Sequence, residues 1–216
     1  MTTFSTWITA PENVSATLAM QAVVEDLCST NRDRECNPVL LHGLAGTGKS
    51  HLVSAVVSEV TQRRPDIVVS RTSAGDLEQL LRHEEEGAPS VHVREMKEAD
   101  LLIIEDLQHL GQHAIEQLTL IIDKRHARQR QMIFTSLQGP GQLRHLPSRL
   151  TSRLACGLVV GLLTLSPQSR RPFLLQRMEQ RKLQLPSDVV DWIVQHLGGS
   201  ARELEGALSR VEILAQ

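Results

Sequence analysis

The run Gly43-Leu44-Ala45-Gly46-Thr47-Gly48-Lys49-Ser50 fits the pattern G-x-x-x-x-G-K-[ST] without a mismatch. It follows the apolar run Val39–His42 and precedes a helical pattern at Lys49–Gln62, the strand, glycine loop and helix context that gives the motif meaning. Glycines let the backbone wrap an anion and take positive φ without a Cβ clash. Successive N–H groups, with His51 opening the helix behind them, then face phosphate at the positive end of that helix. The chemistry assigns Lys49 to the β/γ oxygens and the Ser50 hydroxyl to Mg²⁺, with ATP or ADP as ligand. A chain built on this unit is committed to an α/β fold with the loop at the end of a strand.

The rest of the sequence follows that commitment. Short apolar runs at Val39–His42, Ile67–Ser70, Leu101–Glu105, Met132–Thr135 and Leu158–Leu163 lack strict alternation, which predicts parallel strands buried on both faces. Helical patterns at Val14–Thr30, Lys49–Gln62, Gly75–His83, Ser90–Glu98 and Ile115–Arg128 separate them. Beyond Ser166-Pro167 only helical segments remain, at Gln168–Lys182, Ser187–Leu197 and Ser200–Leu214. The expected organisation is a nucleotide-binding base over residues 1–165 and a small helical lid over 166–216.

Composition excludes more than it selects. Apolar content of 41% and charged content of 22% are ordinary for a globular chain of 216 residues, and no stretch is long and apolar enough to span a membrane. The N-terminus lacks a basic or apolar leader region, and Cys28, Cys36 and Cys156 form no C-x-x-C pair, which predicts a cytoplasmic chain with reduced thiols. The net charge of −2 hides a segregation, since twelve Lys/Arg and the single acid Glu179 lie between Lys124 and Lys182. Such a block can face a polyanion or an acidic surface on a neighbouring subunit, or form a solvated face balanced by the acidic segment Asp76–Glu98. Two Trp, three Phe and no Tyr are too few for a base-stacking platform, so any DNA contact must be mainly to the backbone.

A phosphate loop needs acids at the end of a neighbouring strand, and Leu101-Leu-Ile-Ile-Glu105-Asp106 supplies them. One of Glu105 and Asp106 is expected to hold Mg²⁺ and the other to orient the attacking water.

Taken with these motifs, the chain resembles the ATPase domain of the bacterial replication initiator DnaA family, within the AAA+ superfamily. The resemblance rests on the loop GLAGTGKSHL at 43–52, LLIIEDLQ at 101–108, LPSRLTSRLACG at 146–157 and SARELEGALSRV at 200–211. It implies that the N-terminal segment Phe4–Asn13 packs on adenine, with Ile8 and Asn13 at the base. It also implies that Arg153 is an arginine finger reaching the γ-phosphate of an adjacent subunit, with Arg149 nearby. Arg202 then closes the helical lid onto the γ-phosphate from within the chain. A guanidinium suits both tasks because it stays charged and forks onto phosphate oxygens.

Where the family usually has Asp, this sequence has Glu105, and Leu137 stands where the family carries a polar residue. Either Gln138 or Ser136 takes that place or hydrolysis is slow. The loop after Gln108 is shorter and lacks basic residues that in the family help hold single-stranded DNA. The helix-turn-helix that reads duplex DNA in the family is not in this sequence. The resemblance implies an ATP-dependent assembly switch in replication initiation or its regulation, working as a slow ATPase. Two other readings stay open: an Hda-like regulatory partner of DnaA, and a DnaC-like loader of the replicative helicase.

Overall fold

A computed structural model describes residues 3–29, 36–85 and 91–214. Thr30 and Ser90, which the sequence places at helix ends, lie outside the described residues. The strands are β1 (Val39–His42), β2 (Val69–Ser73), β3 (Leu101–Glu105), β4 (Gln131–Ser136) and β5 (Leu158–Gly161). They form one sheet in the order β2-β3-β4-β1-β5, with every pairing parallel. In register, Val39 of β1 faces Ile133 on one side and Leu158 on the other.

Period-two alternation explains why these strands read as continuous apolar runs. Val39, Leu41, Ile103 and Ile133 point into one core, where α1 (Val14–Cys28) and α2 (Lys49–Arg63) bury Met20, Val23, Leu52 and Val56. Leu40, Leu102, Ile104, Met132 and Phe134 point the other way, into a core with α3 (Ala74–Glu85), α4 (Val91–Glu98), α5 (Gln112–Ala127) and α6 (Ser148–Ala155). Both faces are covered, so neither face has a reason to be polar.

A third apolar cluster gathers α7 (Pro167–Arg181), α8 (Ser187–His196) and α9 (Ala201–Leu214) around Phe173, Leu174, Ile193, Leu204 and Leu208. Ser166 caps α7 by accepting a hydrogen bond from the Ser169 N–H, and Pro167 occupies the first turn, where no N–H is needed. Ile8 and Ala10 of the N-terminal segment belong to this cluster, whereas Phe4 and Trp7 pack against the α1–α2 core.

Several boundaries differ from expectation, among them β5, which ends at Gly161 rather than Leu163. β2 begins two residues later than the apolar run Ile67–Ser70 and continues through Arg71, Thr72 and Ser73. It is an edge strand with only one neighbour, so it needs no continuous apolar run. Helix α5 starts at Gln112, immediately after Gly111, rather than at Ile115. Among the described residues, no helix is long and apolar enough to cross a membrane.

Candidate functional site

Residues Gly43–Ser50 leave the C-terminal end of β1 and enter α2. The turn requires glycine twice: Gly46 has φ +81° and Gly48 has φ +106°. Tertiary packing also crowds a side chain at the same places. A Cβ on Gly48 would lie 3.1 Å from the Trp7 ring, and one on Gly46 would lie 3.1 Å from Arg202 Cβ. The backbone is therefore pressed between the N-terminal segment and α9, leaving its amides as the available polar surface.

Lys49 is buried, 7% exposed, and its Nζ donates to the carbonyls of Gly43 at 2.6 Å and Leu44 at 3.1 Å. Desolvation pushes its pKa below the usual lysine value, and the negative charge of Asp106 opposes that shift. Thr47 closes the loop through a 2.9 Å bond from its hydroxyl to the Leu44 carbonyl.

Asp106 follows β3 in a left-handed conformation, φ 60°, uncommon for a residue with a side chain. Two contacts of its own hold it there, and a third braces the second. Its N–H donates to Thr135 Oγ1 at 3.0 Å, and its Oδ1 accepts from Gln108 Nε2 at 3.0 Å. Gln108 in turn accepts from the Leu137 N–H at 3.1 Å. Gln108 thus joins the end of β3 to the end of β4 and fixes the Asp106 carboxyl. Ser136 is buried and its hydroxyl donates to the Gln138 carbonyl, while Leu137 faces the cleft.

A cleft of about 710 Å³ runs from the loop to the last helices. Its walls include Ala45, Gly46, Thr47, Gly48, Lys49, Ser50 and His51, together with Ile8, Asn13, Asp106 and Arg202. Arg202 opens α9 directly against the loop, its N–H donating to the Gly46 carbonyl at 3.1 Å. Asn13 works on its own segment: its Oδ1 accepts from the Ala10 N–H at 2.8 Å and its Nδ2 donates to the Ile8 carbonyl at 3.0 Å.

Four residues expected at the site stand outside this wall. Gly43 and Leu44 act through their carbonyls on Lys49. Glu105 is ion-paired with Arg71 of β2 at 2.6 Å. Arg153 lies on α6, half exposed, with its Nε 2.7 Å from Asp123 of α5. Arg149 reaches the other oxygen of the same carboxylate at 3.2 Å.

Sequence reasoning did not single out several cleft residues, Trp7 among them although it lies within the Phe4–Asn13 segment. Trp7 presses on Gly48, anchors its Nε1–H on Thr17 Oγ1 at 2.9 Å, and lies 5.6 Å from the His51 ring. From α7, Arg177 donates to the Thr6 carbonyl at 2.9 Å and, with Arg181, ion-pairs with Glu205 of α9. Only the i, i+3 spacing of Arg202 and Glu205 on one helix hinted at the second group. His51 is pushed below the usual histidine pKa by desolvation, aided by the positive charge of Arg177.

A buried lysine, paired loop glycines at positive φ and an acid at the end of the neighbouring strand form a set suited to a triphosphate and its divalent cation. With the sheet order β2-β3-β4-β1-β5 and three helices appended after β5, they define a P-loop module of the AAA+ fold. A family model described as the bacterial DnaA ATPase domain matches residues 1–161. The chain belongs to that family.

It is 30% identical over 220 residues to the chromosomal replication initiator protein DnaA of Roseiflexus castenholzii, covering 99% of this chain and 44% of that protein. With the same protein of Enterococcus faecalis it shares 29% identity over 216 residues, 99% of this chain and 47% of that one. The chain thus spans less than half the length of these relatives. Among solved structures, AMPPCP-bound DnaA from Aquifex aeolicus superposes with a TM-score of 0.87 at 25% identity, over 99% of this chain and 66% of that one. The replication initiator DnaA bound to AMPPCP and single-stranded DNA gives 0.86 at 25%, over 98% of this chain and 65% of that one. The DnaC helicase loader, at 0.63 and 19% identity over 75% of this chain and 96% of that one, shares the fold alone.

Proposed function

We propose that this chain is an ATP-binding switch that assembles with further copies in initiation of DNA replication or its control. The observation that carries the reading is the meeting of Arg202 from the last helix with the phosphate loop, around a cleft that also contains Lys49 and Asp106. In this reading residues 1–165 are the base and 166–216 the lid, so that ligand in the cleft touches both and sets their relation.

The roles follow from chemistry. Loop amides and Lys49 hold the β- and γ-phosphates, and Lys49 exchanges its carbonyl partners for phosphate oxygens. Arg202 reads the γ-phosphate from within the chain. Ile8 and the turn shaped by Asn13 face the adenine end. Ser50 and Asp106 would hold Mg²⁺, which neutralises phosphate charge there. Gln108 fixes Asp106, and the slow hydrolysis expected for this family member fits Leu137 at the cleft wall and the pairing of the second acid, Glu105, with Arg71.

Arg153 supplies the trans contact. It lies outside its own cleft, and its link to Asp123 engages Nε, leaving the terminal nitrogens for a neighbour's γ-phosphate. Two arginines on one phosphate, one in cis and one in trans, make assembly depend on the bound nucleotide. Analytical ultracentrifugation with ATP and with ADP, wild type beside Arg153→Ala, tests this. The expected result is ATP-dependent assembly that the variant loses while retaining nucleotide affinity. A wild type that stays monomeric with ATP bound would end the self-assembly reading and make full-length DnaA, the replicative helicase and single-stranded DNA the next partners to try.

A further inference from the structure

Glu105 ends β3 as an acid expected at the metal, yet it is already matched by a resident cation. Arg71 pairs with Ile103 in the β2–β3 ladder and Ser73 with Glu105, so Arg71 and Glu105 are diagonal neighbours on one face of the sheet. The Nε and Nη2 of Arg71 both lie 2.6 Å from Oε1 of Glu105, whose side chain is only 12% exposed. The remaining nitrogen, Nη1, donates to Ser54 Oγ at 2.9 Å, and Ser54 donates to the Ser50 carbonyl at 2.7 Å. A continuous polar chain therefore runs from the acid of β3, through an arginine of the edge strand, to the serine that ends the phosphate loop.

We infer that Arg71 is a positioning residue that withholds Glu105 from the divalent cation, so that this chain grips nucleotide with little dependence on metal. The inference rests on the nucleotide reading of the cleft. A carboxylate that accepts a charge-assisted hydrogen bond from Nε within a close ion pair, in a largely buried setting, gives that pairing up only against an equivalent gain. The guanidinium also places a fixed positive charge beside the metal side of the site, which disfavours a second cation there. Asp106 remains the one acid of the pair that lines the cleft. Phosphate charge is met instead by groups the chain carries itself, Lys49 and Arg202.

The test is the affinity of the full chain for a fluorescent N-methylanthraniloyl ATP, in EDTA and in saturating Mg²⁺. Wild type is compared with Arg71→Met, Arg71→Lys and the double variant Arg71→Met/Glu105→Gln, with thermal melting as the check on folding. The expected wild-type ratio between the two conditions is below about threefold, rising to about tenfold or more in Arg71→Met as Glu105 is released. Arg71→Lys, which keeps the charge without the fork, should fall between them and carries the test should Arg71→Met fail to fold. In the double variant the gained metal dependence should vanish, an outcome that a purely structural cross-strand pair would not produce. The inference is overturned by a wild type already dependent on Mg²⁺ by more than about tenfold. It is equally overturned by Arg71 variants with the wild-type ratio, or by a double variant that keeps the gain. A wild type that binds the probe in neither condition would instead remove the nucleotide reading itself.

Discussion

Gly48 concentrates the residue-scale argument. Its φ of +106° lies outside what a residue with a side chain adopts comfortably, and Trp7 occupies the space a Cβ would need. Gly48→Ala is expected to destabilise the fold by about 1–3 kcal/mol, measured by denaturant unfolding, and to impair nucleotide binding further. His42 and His51 carry a pH dependence. Desolvation holds both below the ordinary histidine value of 6.5. The folded state therefore binds fewer protons than the unfolded one, and stability falls as pH drops from above 6.5 through the lowered folded values. The double variant His42→Gln/His51→Gln should flatten that acid limb in unfolding midpoints taken across the range. Gly48 was legible because the loop motif is local. The burial of His42 and His51 was not, because it depends on Trp7, on Arg177 and on glycines such as Gly161 that arrive from distant segments.

At the scale of elements, the parallel sheet follows from strands that must be apolar on both faces, and this is where the sequence was most informative. β2 is the exception that shows the reason: as an edge strand it continues through polar residues, one of which, Arg71, reaches across to Glu105. A cross-strand diagonal spanning 34 residues leaves no local signature. Arg125 makes the same point from α5. Almost fully buried, it donates to the carbonyls of Met96, Ala99 and Gln131, tying the end of α4 to the starts of β3 and β4. Within a helical pattern it read as one more cation of a basic block. Arg125→Leu leaves those carbonyls short of donors and should lower stability by about 2–4 kcal/mol, read as a shift in urea midpoint at unchanged slope.

At the scale of the whole molecule, the N-terminal segment joins what the cleft separates. Phe4 and Trp7 pack into the core beneath the sheet, whereas Ile8 and Ala10 pack among α7, α8 and α9. Arg177 holds the Thr6 carbonyl, and Glu12 accepts from the Ser166 N–H and the Ser169 hydroxyl, each at 2.9 Å. The segment and the Arg202–Gly46 contact therefore border the same cleft, an arrangement through which the proposed nucleotide would set the relation of the last three helices to the sheet. The proposed assembly through Arg153 belongs to this scale as well, because it would need a second molecule whose cleft is already filled.

The proposed switch and its assembly depend on the cleft holding a nucleoside triphosphate, and isothermal titration of ATP into wild type and Lys49→Ala tests that directly. The account predicts saturable binding with a dissociation constant of about 10 μM or tighter, weakened by about a hundredfold or more in Lys49→Ala. A wild type that releases no heat and shows no protection by ATP, or a Lys49→Ala variant that binds as wild type does, would contradict it.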